Sequence, residues 1–312
     1  PRLIKYFIKG GFYASLILLM FSNNKKGWLL LSPTIFILII VGLVPFFYVL
    51  YVGFFKWNPL AVDPSMQFEG FGFNYRRLIF DGVFLESIWR SIKFSVVTLT
   101  LELSLGFLLA LSLLSSFPFK KFFRGVHTLP LVIAPIVVGS IFKLFTVQGL
   151  GPLPHLLKDY FGYTLNYGMN ADQAFWMIVI MDIWHWTPFV TLTLLAGLSA
   201  LPQDPYESAK IDGANNFQIF VYITIPMMVP VLIVVIFIRL MDSLKIVDEV
   251  WMLTGGGPGY ATRFTGIHIW KEVFEKRYYG LGSAMSILYL YITIVICWIL
   301  YSVMVSRGKS ED

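Results

Sequence analysis

Charge is scarce in this chain. Only 13% of its 312 residues are charged and 57% are hydrophobic, whereas a soluble domain carries about 25% charged residues. That shortage excludes a large solvated unit, and no long polar stretch is set apart to fold separately. Cysteine is nearly absent. The single thiol, Cys297, lies in an apolar run, which leaves neither a disulfide framework nor a cysteine-based metal cluster. The four histidines, His127, His155, His185 and His268, are dispersed. No Ser-His-Asp constellation or metal-ligand spacing appears, so no catalytic or metal-binding residue is expected. The glycine-rich run Gly255–Gly259 lacks the Gly-Lys-Ser/Thr ending of a phosphate-binding loop and follows no strand. The net charge of +6 is scattered around apolar blocks with no basic stripe, which argues against nucleic acid.

What the sequence has in abundance is long apolar blocks. Six run about Trp28–Phe54, Ile92–Leu114, Leu129–Phe145, Phe175–Leu198, Ile223–Leu244 and Leu281–Val305. Roughly 20 helical residues cross the hydrocarbon of a bilayer, so the expected fold is an all-α polytopic membrane protein with six transmembrane helices. The third block is the shortest and carries Lys143 near its end. Aromatics make up 17% of the chain, and many sit at block ends, as interfacial Trp and Tyr do. Residues 10–24 are uncharged but short for a crossing, so residues 1–27 are read as an interfacial or cytoplasmic N-terminal arm. Residues 28–312 then form a single transmembrane domain.

Orientation follows the basic residues nearest the spans. Lys25 and Lys26 precede the first block, Lys120, Lys121 and Arg124 fill the loop after the second, and Arg307 and Lys309 follow the last. They place both termini, that loop, and loop 201–226 between the fourth and fifth spans in the cytoplasm.

Loop 201–226 is unusually patterned. Pro205 suits the first turn of a helix and Glu207 suits its positive end. Asp212-Gly213 is a stop signal, and Phe217, Phe220 and Val221 then recur at helical spacing. The physical picture is a short helix, a tight turn and a second helix feeding the fifth span. From the residues alone, it could present one face to a cytoplasmic partner or be an elbow without one.

Here the chain resembles a family. Glu207-Ser208-Ala209, three residues, Gly213, nine residues, then Ile223-Thr224-Ile225-Pro226 is similar to the Glu-Ala-Ala loop of binding-protein-dependent ABC importer permeases. It departs at Ser208 for Ala and Ile225 for Leu. Phe73–Leu78 and Trp184–Phe189 resemble further family segments, and Leu253–Gly259 resembles the Thr-Gly-Gly-Gly-Pro segment of the carbohydrate branch, with maltose and glycerol-3-phosphate type permeases. The resemblance implies a type I ABC importer fold with a cytoplasmic coupling helix. It also implies a second, different permease subunit that forms a heterodimer with this one, two ATP-binding subunits that hold ATP and Mg, an extracytoplasmic solute-binding protein, a sugar substrate and a bacterial inner-membrane location. No cofactor is expected in this chain. Tyr206, Glu207, Ser208, Ala209, Asp212, Gly213, Ala214 and Phe217 are the implied ATPase contacts.

Ionisable residues inside spans are costly and usually face an interior or a water-filled path. Glu102 lies in the second block. Asp182 and His185 share a face of the fourth, and Arg239, Asp242 and Lys245 recur three apart in the fifth, which puts Asp242 next to both cations. Such groups serve either as packing ion pairs or as pathway residues. In the maltose-type relatives the sugar site is implied to come from this part of the fourth and fifth spans. Carried over by position, that gives Trp186, Phe189, Met241, Asp242 and Lys245, with Asp182, His185 and Arg239 beside them. Arg239 and Lys245 would suit an acidic sugar or a sugar phosphate. The alternative function is a secondary transporter that uses these charges as an ion relay; it predicts two repeated halves, which the six blocks do not show.

Overall fold

Proline and the apolar blocks together decide where the helices run. In the computed structural model residues 24–308 are described. The arm expected over residues 1–27 lies outside the described residues as far as position 23. Five helices are long and apolar enough to span: α1 Gly27–Val52, α2 Gly82–Leu114, α5 Ala171–Ser199, α7 Asn216–Leu244 and α10 Tyr279–Val303. They correspond to five of the six expected blocks. Helix α2 has 33 residues, about 50 Å at 1.5 Å per residue, so it continues well past the roughly 30 Å hydrocarbon.

The expected third span is not one helix. Its residues form α3 Lys120–Val132 and α4 Pro135–Thr146, bent by 101° at the break. The cause is local. A residue before proline is pushed out of the helical region, and Ala134, preceding Pro135, sits at φ −63°, ψ 140°. Pro135 then opens α4, where its missing N–H costs nothing.

Proline also marks two wide turns inside spans. Ile39–Leu43 and Phe220–Thr224 are π-helical, closed by Val44 N–H to the Ile39 carbonyl and Ile225 N–H to the Phe220 carbonyl. Each ends two residues before a proline, Pro45 or Pro226. Proline brings no N–H and crowds the preceding turn, and a wider turn relieves that crowding.

Helix α5 is the central element: 61% of its most apolar stretch is buried, against 6% for α1. It packs most extensively on α2, where the Gly106 Cα approaches so closely that a Cβ would lie 2.6 Å from Val190 Cγ1. Small residues at such crossings let helices pack in lipid. Between α7 and α10 the chain forms two shorter helices, α8 Asp248–Leu253 and α9 Thr265–Trp270. One apolar cluster holds Phe94, Met181, Val250 and Phe264, and another holds Ala110, Val190, Leu194 and Met228. Along α2 and α5 the charged positions Glu102, Asp182 and His185 fall between them.

Candidate functional site

That interval is a polar layer. Arg239 on α7 is 1% exposed and donates through Nε and Nη2 to the two carboxylate oxygens of Glu102 on α2, both at 2.7 Å. Nη2 also donates to Asp182 Oδ2 on α5 at 2.8 Å. The guanidinium lies 4.6 Å from the centre of the Trp186 ring. One cation therefore ties three spans together, and the fork geometry of arginine makes the bidentate part possible.

This corrects the expected helix-local network. Asp242 pairs with Lys245 at 2.9 Å, but the buried Arg239 turns away toward the two carboxylates on neighbouring spans. Desolvation explains the choice: a buried guanidinium needs several acceptors around it, and Glu102 and Asp182 together supply three.

His185, also buried, does not bond to Asp182. Its Nδ1 lies 2.5 Å from Glu249 Oε1 on α8, and its Nε2 lies 3.2 Å from the Ile133 carbonyl at the break between α3 and α4. Burial pushes the Glu249 carboxyl above the ordinary range. Five of the eight expected pathway residues, Asp182, Trp186, Arg239, Asp242 and Lys245, line one cavity of about 140 Å³. His185, Phe189 and Met241 do not. Phe189 packs on the Val190–Leu194 cluster and edge-on to Trp186, while Met241 is exposed. Glu249 had no periodic signal in the sequence because it lies beyond the end of the span. Glu102 did carry one, as a lone charge in an apolar run.

The elbow between α5 and α7 forms as the sequence predicts. Helix α6, Asp204–Ile211, has Pro205 in its first turn. Gly213 adopts φ +79°, a conformation costly for residues with a Cβ. Gly213 N–H donates to the Lys210 carbonyl at 3.1 Å and Ala214 N–H to the Ala209 carbonyl at 2.9 Å, the paired closure of a Schellman motif. Asn215 and Gln218 then make a reciprocal capping box at the start of α7. The Tyr206 hydroxyl donates to Thr224 Oγ1 at 3.2 Å and joins the two arms. Glu207, Ser208, Asp212, Gly213 and Phe217 are exposed, Tyr206, Ala209 and Ala214 half-buried. Ile211 and Tyr222, which the sequence pattern did not single out, are 86% and 75% exposed, so large apolar groups flank the polar turn.

A family model for the binding-protein-dependent transport system inner membrane component matches residues 102–306. The chain belongs to this family. Among similar curated permeases is the trehalose/maltose transport system permease protein MalF of Thermococcus litoralis, 33% identical over 270 residues, covering 86% of this chain and 90% of that one. Another is the probable starch degradation products transport system permease protein AmyD of Thermoanaerobacterium thermosulfurigenes, 29% identical over 279 residues, covering 88% and 92%. The permease also shares its fold with a chain of a bacterial ABC transporter involved in the import of the acidic polysaccharide alginate. That match has a TM-score of 0.76 at 21% identity and covers 91% of this chain and 98% of that one. Family membership supports the importer reading of the sequence and not the ion-relay alternative. Among the described residues, no group of acidic, histidine or cysteine side chains could hold a metal ion.

Proposed function

We propose that this permease forms half of the translocation pathway of an ATP-driven sugar importer, takes its cargo from an extracytoplasmic binding protein, and is driven by cytoplasmic ATPase subunits acting on the elbow. The observation that carries the reading is the elbow itself: a helix of eight residues, a left-handed glycine turn, and a capped helix that continues into the fifth span. A force on α6 reaches α7 through the Tyr206–Thr224 bond and the closed turn. Helix α7 carries Arg239, so the force also reaches α2 and α5.

In this reading the exposed Glu207, Ser208, Asp212, Gly213 and Phe217 meet the ATPase, with Tyr206, Ala209 and Ala214 supporting them. ATP and Mg belong to that partner. Both termini and the elbow are cytoplasmic, and a second permease subunit covers the spans that this chain leaves exposed. The sugar passes along the cavity at Trp186, Asp242 and Lys245. Aromatic faces with flanking hydrogen-bonding groups suit a sugar ring, and the curated relatives named above carry sugars. The cavity is lined by Asp182, Asp242, Asp248 and Glu249 against Arg239 and Lys245. That balance favours a neutral sugar over an acidic one.

The test is reconstitution with the ATPase and binding-protein subunits in proteoliposomes, with trehalose and maltose as probes. Uptake should require ATP, and Glu207→Ala should stop it while the isolated ATPase still hydrolyses ATP. Undiminished uptake with the ATPase subunits omitted would sink the reading.

A further inference from the structure

The contacts of His185 impose a constraint on protons. The Ile133 carbonyl can only accept, so Nε2 must carry a hydrogen and donate to it. Nδ1 faces Glu249 Oε1 at 2.5 Å. If neither atom carried a proton, the Nδ1 lone pair would oppose a carboxylate at contact distance in a buried site, with nothing to hold the two together. One proton therefore sits between them, either on the carboxyl, facing a neutral ring, or on the ring, facing a carboxylate. The two descriptions differ in where the proton rests and agree in how many there are.

Three pieces of the fold meet at this proton. His185 belongs to α5. Ile133 is at the break of the third span, where helix α3 has ended and its carbonyls lack helical partners. Glu249 belongs to α8, whose backbone presses on α4: a Cβ at Gly139 would lie 2.7 Å from the Glu249 carbonyl oxygen. Asp182 faces the pair from α5 and Arg239 from α7, and Asp242, Lys245 and Asp248 line the same cavity as Glu249. The only ionisable residue of α4, Lys143, lines a different cavity beside Thr254 and Pro258. Arg239 is already committed to Glu102 and Asp182, and Lys245, the other cation on the cavity that Glu249 lines, is bound to Asp242. Glu249 Oε2 is buried with no hydrogen-bond partner, which is tolerable for a carboxylic acid and costly for an anion.

We propose that His185 and Glu249 share one proton as a clamp that fixes the bend of the third span to α8, just beyond the end of the fifth span. Loss of the proton opens the clamp and frees the bend. The inference goes beyond the importer reading and does not depend on it.

The experiment follows thermal unfolding of the purified full chain from pH 6 to pH 10, with infrared spectra across the same titration. The discriminating variant is Glu249→Gln. Its side-chain amide donates to Nδ1 while Nε2 still donates to Ile133, so the bridge survives without a proton that can leave. Wild type should lose several degrees of Tm on the alkaline side, and E249Q should lack that step. The infrared titration of wild type should show a single proton leaving a carboxylic acid or an imidazolium, absent in E249Q. An alkaline step of wild-type size in E249Q would overturn the proposal. Should E249Q not fold, the wild-type infrared titration decides in the same way: no carboxylic-acid or imidazolium signal lost on the alkaline side overturns it. None of these readouts measures transport, so failure here leaves the importer reading untouched.

Discussion

Arg239 holds both oxygens of Glu102 at 2.7 Å and so joins two spans through residues 137 positions apart in the chain. A buried pair of this kind is dangerous to break, because what remains is an uncompensated charge. Removing one partner of a buried pair costs about 3–5 kcal/mol. The two partners are not equivalent here. Glu102→Gln leaves Arg239 still bonded to Asp182 and still against the Trp186 ring. Arg239→Met leaves two buried carboxylates facing one another. R239M should therefore destabilise the permease more than E102Q. Thermal unfolding of both variants checks this; equal losses would contradict it.

Gly213 offers a cleaner separation of coupling from folding. Its φ of +79° costs a residue with a Cβ about 1–2 kcal/mol, yet a Cβ there would meet nothing within 4 Å. Gly213→Ala should fold with unchanged spans while reshaping the turn, and its ATP-driven uptake should fall. Gly213→Asn should fall less, because asparagine tolerates the left-handed region. Uptake and ATPase stimulation measured side by side give the answer. A G213A protein with undiminished uptake would remove the turn from the coupling path.

The elbow was the most legible part of the molecule, and the reason is that its instructions are local. Pro205, Asp212-Gly213 and the apolar spacing after it each act within a turn of the chain. Five spans were legible for the same reason, since length and hydropathy suffice. The third span was legible as an apolar block but its bend was not, because hydropathy does not register Pro135, whose effect on Ala134 is conformational. The polar layer was half legible. Asp182, Arg239 and Lys245 stood out as charges in apolar runs, but helix spacing pairs residues of one helix only. The contact that forms, Arg239 with Glu102, joins different helices, and no single sequence encodes that register. Glu249 was missed altogether because an acidic residue just outside a span is ordinary until α8 folds back onto α4 and buries it.

His268 on α9 gives a prediction about acid. It is 3% exposed, neither ring nitrogen has a hydrogen-bond partner, and Phe84 lies against it with ring centroids 6.2 Å apart. Burial, reinforced by the charge of Arg263, lowers its pKa to about 4. The unfolded chain titrates near the ordinary value of about 6.5, so between these values the unfolded state binds more protons. A depressed pKa contributes stability that is present above about 6.5 and lost as the pH falls toward 4. The full loss is about 3 kcal/mol. His268→Phe should lose less Tm than wild type between pH 7 and pH 5, with the spans unchanged. Parallel acid slopes for the two proteins would mean that His268 does not titrate in this window.

Lys245 decides between cargo charge and cargo shape. It is the exposed cation at the cavity, with its side chain 73% exposed and bound to Asp242, while the buried cation, Arg239, is neutralised by two carboxylates. A site that reads a negative sugar needs a cation with spare charge, and the neighbours of Lys245 leave it little. Trp186, in contrast, presents a ring to the same cavity, and a ring recognises the apolar face of any sugar. Lys245→Ala should thus lower uptake of neutral and uronic-acid oligosaccharides equally, by about tenfold or less, equivalent to about 1.4 kcal/mol. Trp186→Leu should lower both further. Competition assays in the reconstituted transporter, with a neutral and an anionic oligosaccharide of equal length, measure the ratio. If K245A abolished only the anionic uptake, the charge of Lys245 would be the recognition element and the neutral-sugar reading would fall.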